Sequence, residues 1–260
     1  LSAHELLEQP YQKNLIQPQQ LLNEKIWQTL IERGGYPEPY LKDNDEFSNL
    51  WQKSRLSQLF REEIRDYANI QNIDQLELLG QLITHQTGSQ TNYSSLAKKI
   101  RVSEATVRNW YTLLENTYFC FSIYPWTKNI NRSILKAPKT YLYDWSLCVD
   151  KGAMVENFVA LHLLKAISFW NRTGQGDFGL FYLRNKDKRE VDFLVTRDNA
   201  PWFLAEVKSS DKQALSDNLR FYQAQLNAPH AFQLAFDMEY IDIDLFTLDK
   251  TKIVPMKTFL

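Results

Sequence analysis

The segment 190–210, EVDFLVTRDNAPWFLAEVKSS, constrains this chain more than any other stretch. Two apolar runs, VDFLV and WFLAEV, flank a turn at Asp198, Asn199 and Pro201. Short runs of this composition, bounded by turn residues, predict two neighbouring strands. Both carry charge where a buried strand carries none: Asp192 in the first, Glu206 and Lys208 in the second. Glu206 and Lys208 are two apart, so they share a face while Val207 points to the other. Asp192, on the adjacent strand, is expected beside Glu206. Glu156, in the helix before the sheet, is expected to reach the same end. Carboxylates gathered in an interior repel and desolvate one another unless a cation sits among them. Hard oxygen ligands suit Mg²⁺ or Mn²⁺, which take a few carboxylates plus water and phosphate. Such an ion polarises a phosphate and lowers the pKa of a bound water. Lys208 would orient the attacking water or stabilise developing negative charge. The pattern points to metal-dependent phosphodiester hydrolysis. Its plainer alternative is a structural ion pair at a strand end.

The surrounding text places these strands in an α/β layer. TYLYDWSL reads as a short strand and turn, and GAMVENFVALHLLKAISFW as a helix apolar around much of its circumference. FGLFYLRN is a further strand. DKQALSDNLRFYQAQL is an amphipathic helix capped by Ser210 or Asp211. HAFQLAF and YIDIDLFTL are expected as two more strands.

Residues 1 to 70 read as helical. PQQLLNEKIWQTLIERGG spaces Leu22, Ile26, Trp27, Leu30 and Ile31 as one helix face and stops at Gly34-Gly35. YPEP is expected to be a rigid extended turn. EFSNLWQKSRLSQLFREEIRDYANI follows as a long helix with Phe47, Leu50, Trp51, Leu56, Leu59, Phe60 and Ile64 inward. LELLGQLITHQTGSQ is a helix ending near Gly88.

YSSLAKKIRVSEATVRNWYTLLENTYFCFSIYPW then reads as helix, turn, helix and a β-hairpin wing. Ser94 or Ser95 caps the first helix and Ser103 the second. Leu96, Ala97 and Ile100 face inward on the first, and Val107, Trp110, Tyr111 and Leu114 on the second. This is a winged-helix pattern. Between residues 88 and 140, eight basic residues (Lys98, Lys99, Arg101, Arg108, Lys128, Arg132, Lys136, Lys139) stand against Glu104 and Glu115, so +6. The chain's net charge of -1 leaves -7 for the rest. A basic segment in an acidic chain points to DNA. Ser103, Thr106, Arg108 and Asn109 would approach the groove, with Lys98, Lys99 and Arg101 on phosphates. The alternative is that these helices pack between neighbours and their charges are solvated.

Several classes are set aside. No GxxxxGK[ST] phosphate loop occurs, so ATP binding is not expected here. Cys120 and Cys148, the only cysteines, lie in apolar surroundings and read as buried thiols of a reducing cytoplasm. No Cys/His cluster suggests zinc, and His162 reads as a packed histidine. No apolar run is judged to approach the ~18 residues of a membrane span, and no signal peptide is seen. The chain begins at Leu1, so it is expected to belong to something longer.

Asp192, then Glu206-Val207-Lys208 on the next strand, with Glu156 on the preceding helix, resembles the PD-(D/E)xK nuclease superfamily, the restriction-endonuclease-like fold. The wider chain is similar to the C-terminal half of a group of predicted bacterial and archaeal AAA-type ATPases. LSAHELL, GGYPEPYL, KAPKTYLYDWSL, GAMVENFVALHL, EVDFLV and AEVKSS follow in the order of that group, from Leu1 to about Asp237. No proline precedes Asp192; the local text is Glu190-Val191-Asp192. The resemblance implies an α/β protein with a helical remnant after an ATPase core (1–70), a winged helix (71–140) and a restriction-endonuclease-like domain (141–260). It implies a nucleic-acid-binding, Mg- or Mn-dependent DNA-cleaving module, with Asp192, Glu206 and Glu156 on the metal and Lys208 catalytic. ATP would bind only the absent N-terminal half. The alternative is a non-catalytic regulatory or protein-interaction module. No membrane partner is expected, and an oligomer is open.

Overall fold

The computed structural model describes residues 24–64, 72–127, 136–210, 212–248 and 250–260. Among them the protein is mixed α/β, with nine α-helices and seven strands. It divides into two compact units. One takes in described residues up to 122 together with 137–157; the other takes in 123–127, 136 and those from 158 on.

The first unit opens with α1 (Glu24–Arg33), which buries Trp27 and Ile31. Gly34, at φ +83, ends it as the sequence predicts, and an added Cβ would meet Asp144 Oδ1 at 2.6 Å. The segment YPEP differs from expectation. Only Tyr36 is extended; Pro37 opens the short helix α2 (Pro37–Lys42). Proline's fixed φ suits the first helical turn, where its missing N–H costs nothing. In α3 (Asp45–Gln58) Asn44 is the cap, accepting from the Phe47 N–H at 2.8 Å. A π-helical turn, Leu59–Ile64, follows and buries Leu59, Phe60 and Ile64. Leu50, expected inward, is 65% exposed.

Three helices then pack around one core: α4 (Ile73–His85), α5 (Tyr93–Ile100) and α6 (Glu104–Asn116). All seven inward residues expected on α5 and α6 are buried. Ser103 caps α6, accepting from the Thr106 N–H. The cap of α5 is Asn92 rather than Ser94 or Ser95: its Oδ1 accepts from the Ser95 N–H at 2.9 Å and from the Ser94 hydroxyl at 3.1 Å. Ser94 and Ser95 lie inside the first turn, and the Ser95 N–H is itself one of the orphan donors that the Asn92 side chain satisfies. β1 (Cys120–Pro125) and β2 (Lys139–Leu142) are sheet neighbours. A 3₁₀ turn, Trp145–Leu147, leads on, with the Trp145 indole donating to the Leu30 and Ile31 carbonyls. Burial pushes the Cys148 thiol up to about 12 and Cys120 well above its ordinary value, so both stay protonated at neutral pH.

The long helix α7 (Lys151–Arg172) leads into the second unit. By length and composition alone it is apolar enough to cross a bilayer, contrary to the sequence estimate. Seven of its apolar side chains, Val155, Phe158, Val159, Ala160, Leu163, Ile167 and Trp170, are buried within the protein.

The strands of this unit are β3 (Phe178–Arg184), β4 (Glu190–Arg197), β5 (Ala200–Lys208), β6 (His230–Ala235) and β7 (Lys252–Pro255). Their order is β1-β3-β4-β5-β6-β7, with β1 joining through Tyr124 and Pro125. β4 is antiparallel to β3 and β5; β1–β3, β5–β6 and β6–β7 are parallel. Helix α8 (Asp217–Leu226) packs Leu219 and Tyr222 on Leu183, Val191, Leu194 and Leu204. Its cap is Ser216, not Ser210; Asp211 lies outside the described residues. YIDIDLFTL forms no strand. Ile241 and Ile243 stay 42% and 41% exposed, and only Leu245–Thr247 coils into a 3₁₀ turn. KIVP, within 252–255, takes the edge position instead, before the short helix α9 (Met256–Phe259).

Candidate active site

Asp198 and Asn199 both adopt left-handed φ (51° and 64°), the geometry of a two-residue hairpin turn. Pro201 lies in β5, opposite Thr196, next to a register shift between Val195 and Thr196. A proline is tolerated inside a sheet at such a break because no ladder N–H is needed there.

A second irregularity matters more. β3 takes two steps from Phe181 to Leu183, while β4 takes three from Leu194 to Val191. The extra residue puts Asp192 and Phe193 in a bulge, a device that re-aims a side chain. The Asp192 carboxylate Oδ2 accepts from the Val207 N–H at 2.9 Å. Val207 stands between Glu206 and Lys208, so all three predicted residues of this hairpin come together. The Lys208 ammonium lies 2.7 Å from Glu206 Oε1. Glu206 is 7% exposed, and its other oxygen, Oε2, is buried with no hydrogen-bond partner.

Among the described residues no group of three or more His, Cys, Asp or Glu is placed to hold a metal ion. The carboxylates of Asp192 and Glu206 are hard oxygen donors of the type that suits Mg²⁺ or Mn²⁺ completed by water and phosphate, and not of the type that suits zinc. The orphaned Glu206 oxygen is the atom such an ion would satisfy.

Gln233 was not foreseen. It pairs in register with Glu206, on β6, and is fully buried. Its Oε1 accepts from the Ser216 N–H at 2.8 Å, and its Nε2 donates to the carbonyls of Gln213 and Ala214, both at 3.3 Å. It therefore fixes the turn that follows Lys208 and starts α8. The signal was present: a lone amide inside the apolar run HAFQLAF, the same anomaly that flagged Asp192 and Glu206.

Glu156 has other company, in the first unit. Its Oε1 accepts from the Tyr141 hydroxyl at 2.7 Å and the Lys139 ammonium at 3.2 Å. Lys139, one of the eight basic residues of the 88–140 segment, is 3% exposed and belongs to this internal pair. Next to it, fully buried Asn157 clamps β2 by bonding the Leu142 N–H and carbonyl at 2.6 and 2.7 Å.

Of the expected DNA contacts, Lys98, Lys99, Arg101 and Asn109 are exposed. Arg101 is the left-handed residue ending α5. Ser103 and Thr106 bond each other at 2.8 Å in the α6 cap. The Arg108 guanidinium is held by Glu104 at 2.6 and 3.0 Å and lies 4.2 Å over the Tyr93 ring. Lys128 and Arg132 fall outside the described residues. His162 sits against the Phe158 ring at 4.1 Å, with Nδ1 2.8 Å from the Phe158 carbonyl oxygen.

The family model described as "Domain of unknown function (DUF4143)" matches residues 151–259, from the start of α7 to the end of the chain's regular structure. The chain is similar to the uncharacterized protein MJ1544 of Methanocaldococcus jannaschii, 25% identical over 67% of this chain and 40% of that protein. It is also similar to the uncharacterized proteins Mb2031c of Mycobacterium bovis and Rv2008c of Mycobacterium tuberculosis, each 22% identical over 72% of this chain and 44% of theirs. The chain thus spans less than half the length of these relatives. No solved structure matches it significantly. A second family model covers residues 24–155, about half of the chain and nearly all the described part of the helical unit, so the chain belongs to the family described as "Domain of unknown function (DUF8612)".

Proposed function

We propose that this chain is the C-terminal, DNA-facing part of a larger AAA-type ATPase, and that Asp192, Glu206 and Lys208 form a PD-(D/E)xK-type site for metal-dependent phosphodiester cleavage. The observation that carries the reading is the Glu206 carboxylate. It is buried, half-paired with Lys208, and its second oxygen has no protein donor. Asp192, aimed by a bulge, bonds the backbone N–H of Val207, the residue next to Glu206. Mg²⁺ or Mn²⁺ held by Asp192 and Glu206 would supply a polarised phosphate and an acidified water. Lys208, half-exposed beside Glu206, stabilises negative charge as it develops on the phosphate. Glu156 is left out of the metal set, because its charge already answers Lys139.

In the same reading α4–α6 with β1 and β2 form a winged helix that holds DNA through Lys98, Lys99 and Arg101. Arg108 is a weaker candidate, since Glu104 neutralises it.

One observation favours a non-catalytic regulatory or interaction module instead. The Lys208 ammonium stands 2.7 Å from the very carboxylate an ion would use, which is what a site that has traded its metal for an ion pair contains. The deciding experiment titrates Mn²⁺ into the full chain by calorimetry and assays cleavage of single- and double-stranded DNA. Metal binding with cleavage supports the nuclease. Absence of metal binding overturns it in favour of the ion-pair module.

A further inference from the structure

We propose that the loop joining β3 to β4, residues 185–189, is the docking point for the sugar–phosphate backbone of the DNA strand presented to Asp192 and Glu206. The inference rests on the nuclease reading and adds where the substrate lies. β3 and β4 are antiparallel, as are β4 and β5, so the end of β3, the start of β4 and the end of β5 share one edge of the sheet. That edge holds the loop, Asp192 and Lys208 together.

The loop is fixed before any ligand arrives. The Asn185 N–H donates to the Arg189 carbonyl at 3.1 Å, and the Arg189 N–H donates back to Asn185 Oδ1 at 3.0 Å. Lys188 adopts a left-handed φ of 63°. From α8, the Tyr222 hydroxyl donates to the Arg189 carbonyl at 3.0 Å. What this frame displays is cationic. Lys186, Lys188 and Arg189 are exposed against Asp187 alone, since Glu190 is paired with Arg184. The Arg189 guanidinium lies 4.6 Å over the ring of Phe221, itself 37% exposed. A stacked guanidinium keeps its fork free for a phosphate and loses little freedom on binding.

The loop after β6, at the same edge, exposes Glu239, which disfavours a polyanion on that side.

The test measures DNA affinity against salt for the full chain carrying Glu206→Gln, so that cleavage does not intervene. Adding Lys186→Ala, Lys188→Ala and Arg189→Ala should weaken binding about tenfold and flatten the log–log salt slope by about 2–3, one phosphate contact per residue lost. Adding Lys186→Arg and Lys188→Arg instead should leave both unchanged, which separates charge from folding. An unaltered slope in the triple alanine variant overturns the inference while DNA binding itself stands. No DNA binding by the Glu206→Gln chain at low salt sinks the DNA reading and the loop with it. Full binding together with no Mn²⁺-dependent cleavage by the wild type condemns the nuclease reading and the presentation of the strand to Asp192 and Glu206, while a flattened slope still assigns the loop to DNA.

Discussion

The carboxylate of Asp192 accepts a hydrogen bond from the backbone of Val207, 2.9 Å away and fifteen residues later in the chain. That bond ties the first charged strand to the middle of the Glu206–Lys208 pair, so the hairpin's stability and the geometry of the proposed metal site depend on one side chain.

Substitutions at Asp192 should separate the two roles. An asparagine keeps an oxygen for the Val207 N–H and removes the charge; an alanine removes both. Asp192→Asn should unfold close to wild type, and Asp192→Ala should lose about 1–2 kcal/mol. Both should abolish Mn²⁺ binding. Chemical denaturation and calorimetry check this, and an asparagine variant that still binds Mn²⁺ contradicts the proposed ligand.

Metal should also stabilise the fold, because an ion that binds only the native state raises the melting temperature with concentration. Wild type should melt higher in Mn²⁺ than in EDTA. Glu206→Gln should show no such rise, since the anionic acceptor is gone. Lys208→Ala should keep the rise and lose most cleavage, because its part belongs to the transition state. Loss of the rise in Lys208→Ala would make that lysine structural.

On the helical unit, Lys98→Ala, Lys99→Ala and Arg101→Ala together should weaken DNA binding and lower its salt dependence. Arg108→Ala should change little by comparison, because Glu104 and Tyr93 already occupy that guanidinium. Anisotropy titrations at several salt concentrations compare them. Equal losses from the two variants count against this assignment of contacts.

His162 supplies a pH dependence. Burial lowers its pKa below the ordinary histidine value, only partly opposed by the Phe158 carbonyl. In the unfolded chain it binds a proton near pH 6.5, so its contribution is complete above that pH and is lost as pH falls toward its folded value. Between pH 7 and 5 the wild type should lose stability more steeply than His162→Gln. Parallel slopes remove His162 as the cause.

The sequence alone determined the elements whose evidence is local. The turn at Asp198-Asn199, the charged residues on the two strands, and the inward faces of α5 and α6 all follow from side chains a few positions apart, which strand and helix periods bring to one face. The Ser103 cap is likewise a three-residue matter. Tertiary structure decided what depends on distant partners. YIDIDLFTL alternates as a strand does, yet KIVP holds the edge beside β6, because alternation records a possible face and not an available neighbour. Lys139 and Glu156 look like separate charges seventeen residues apart; only the packing of β2 on α7 makes them one pair. The bulge that aims Asp192 is set by β3, and the site of Gln233 by β6 and the turn before α8. Hydrogen-bond partners of buried polar groups are chosen by which strands meet, and no local pattern carries that information.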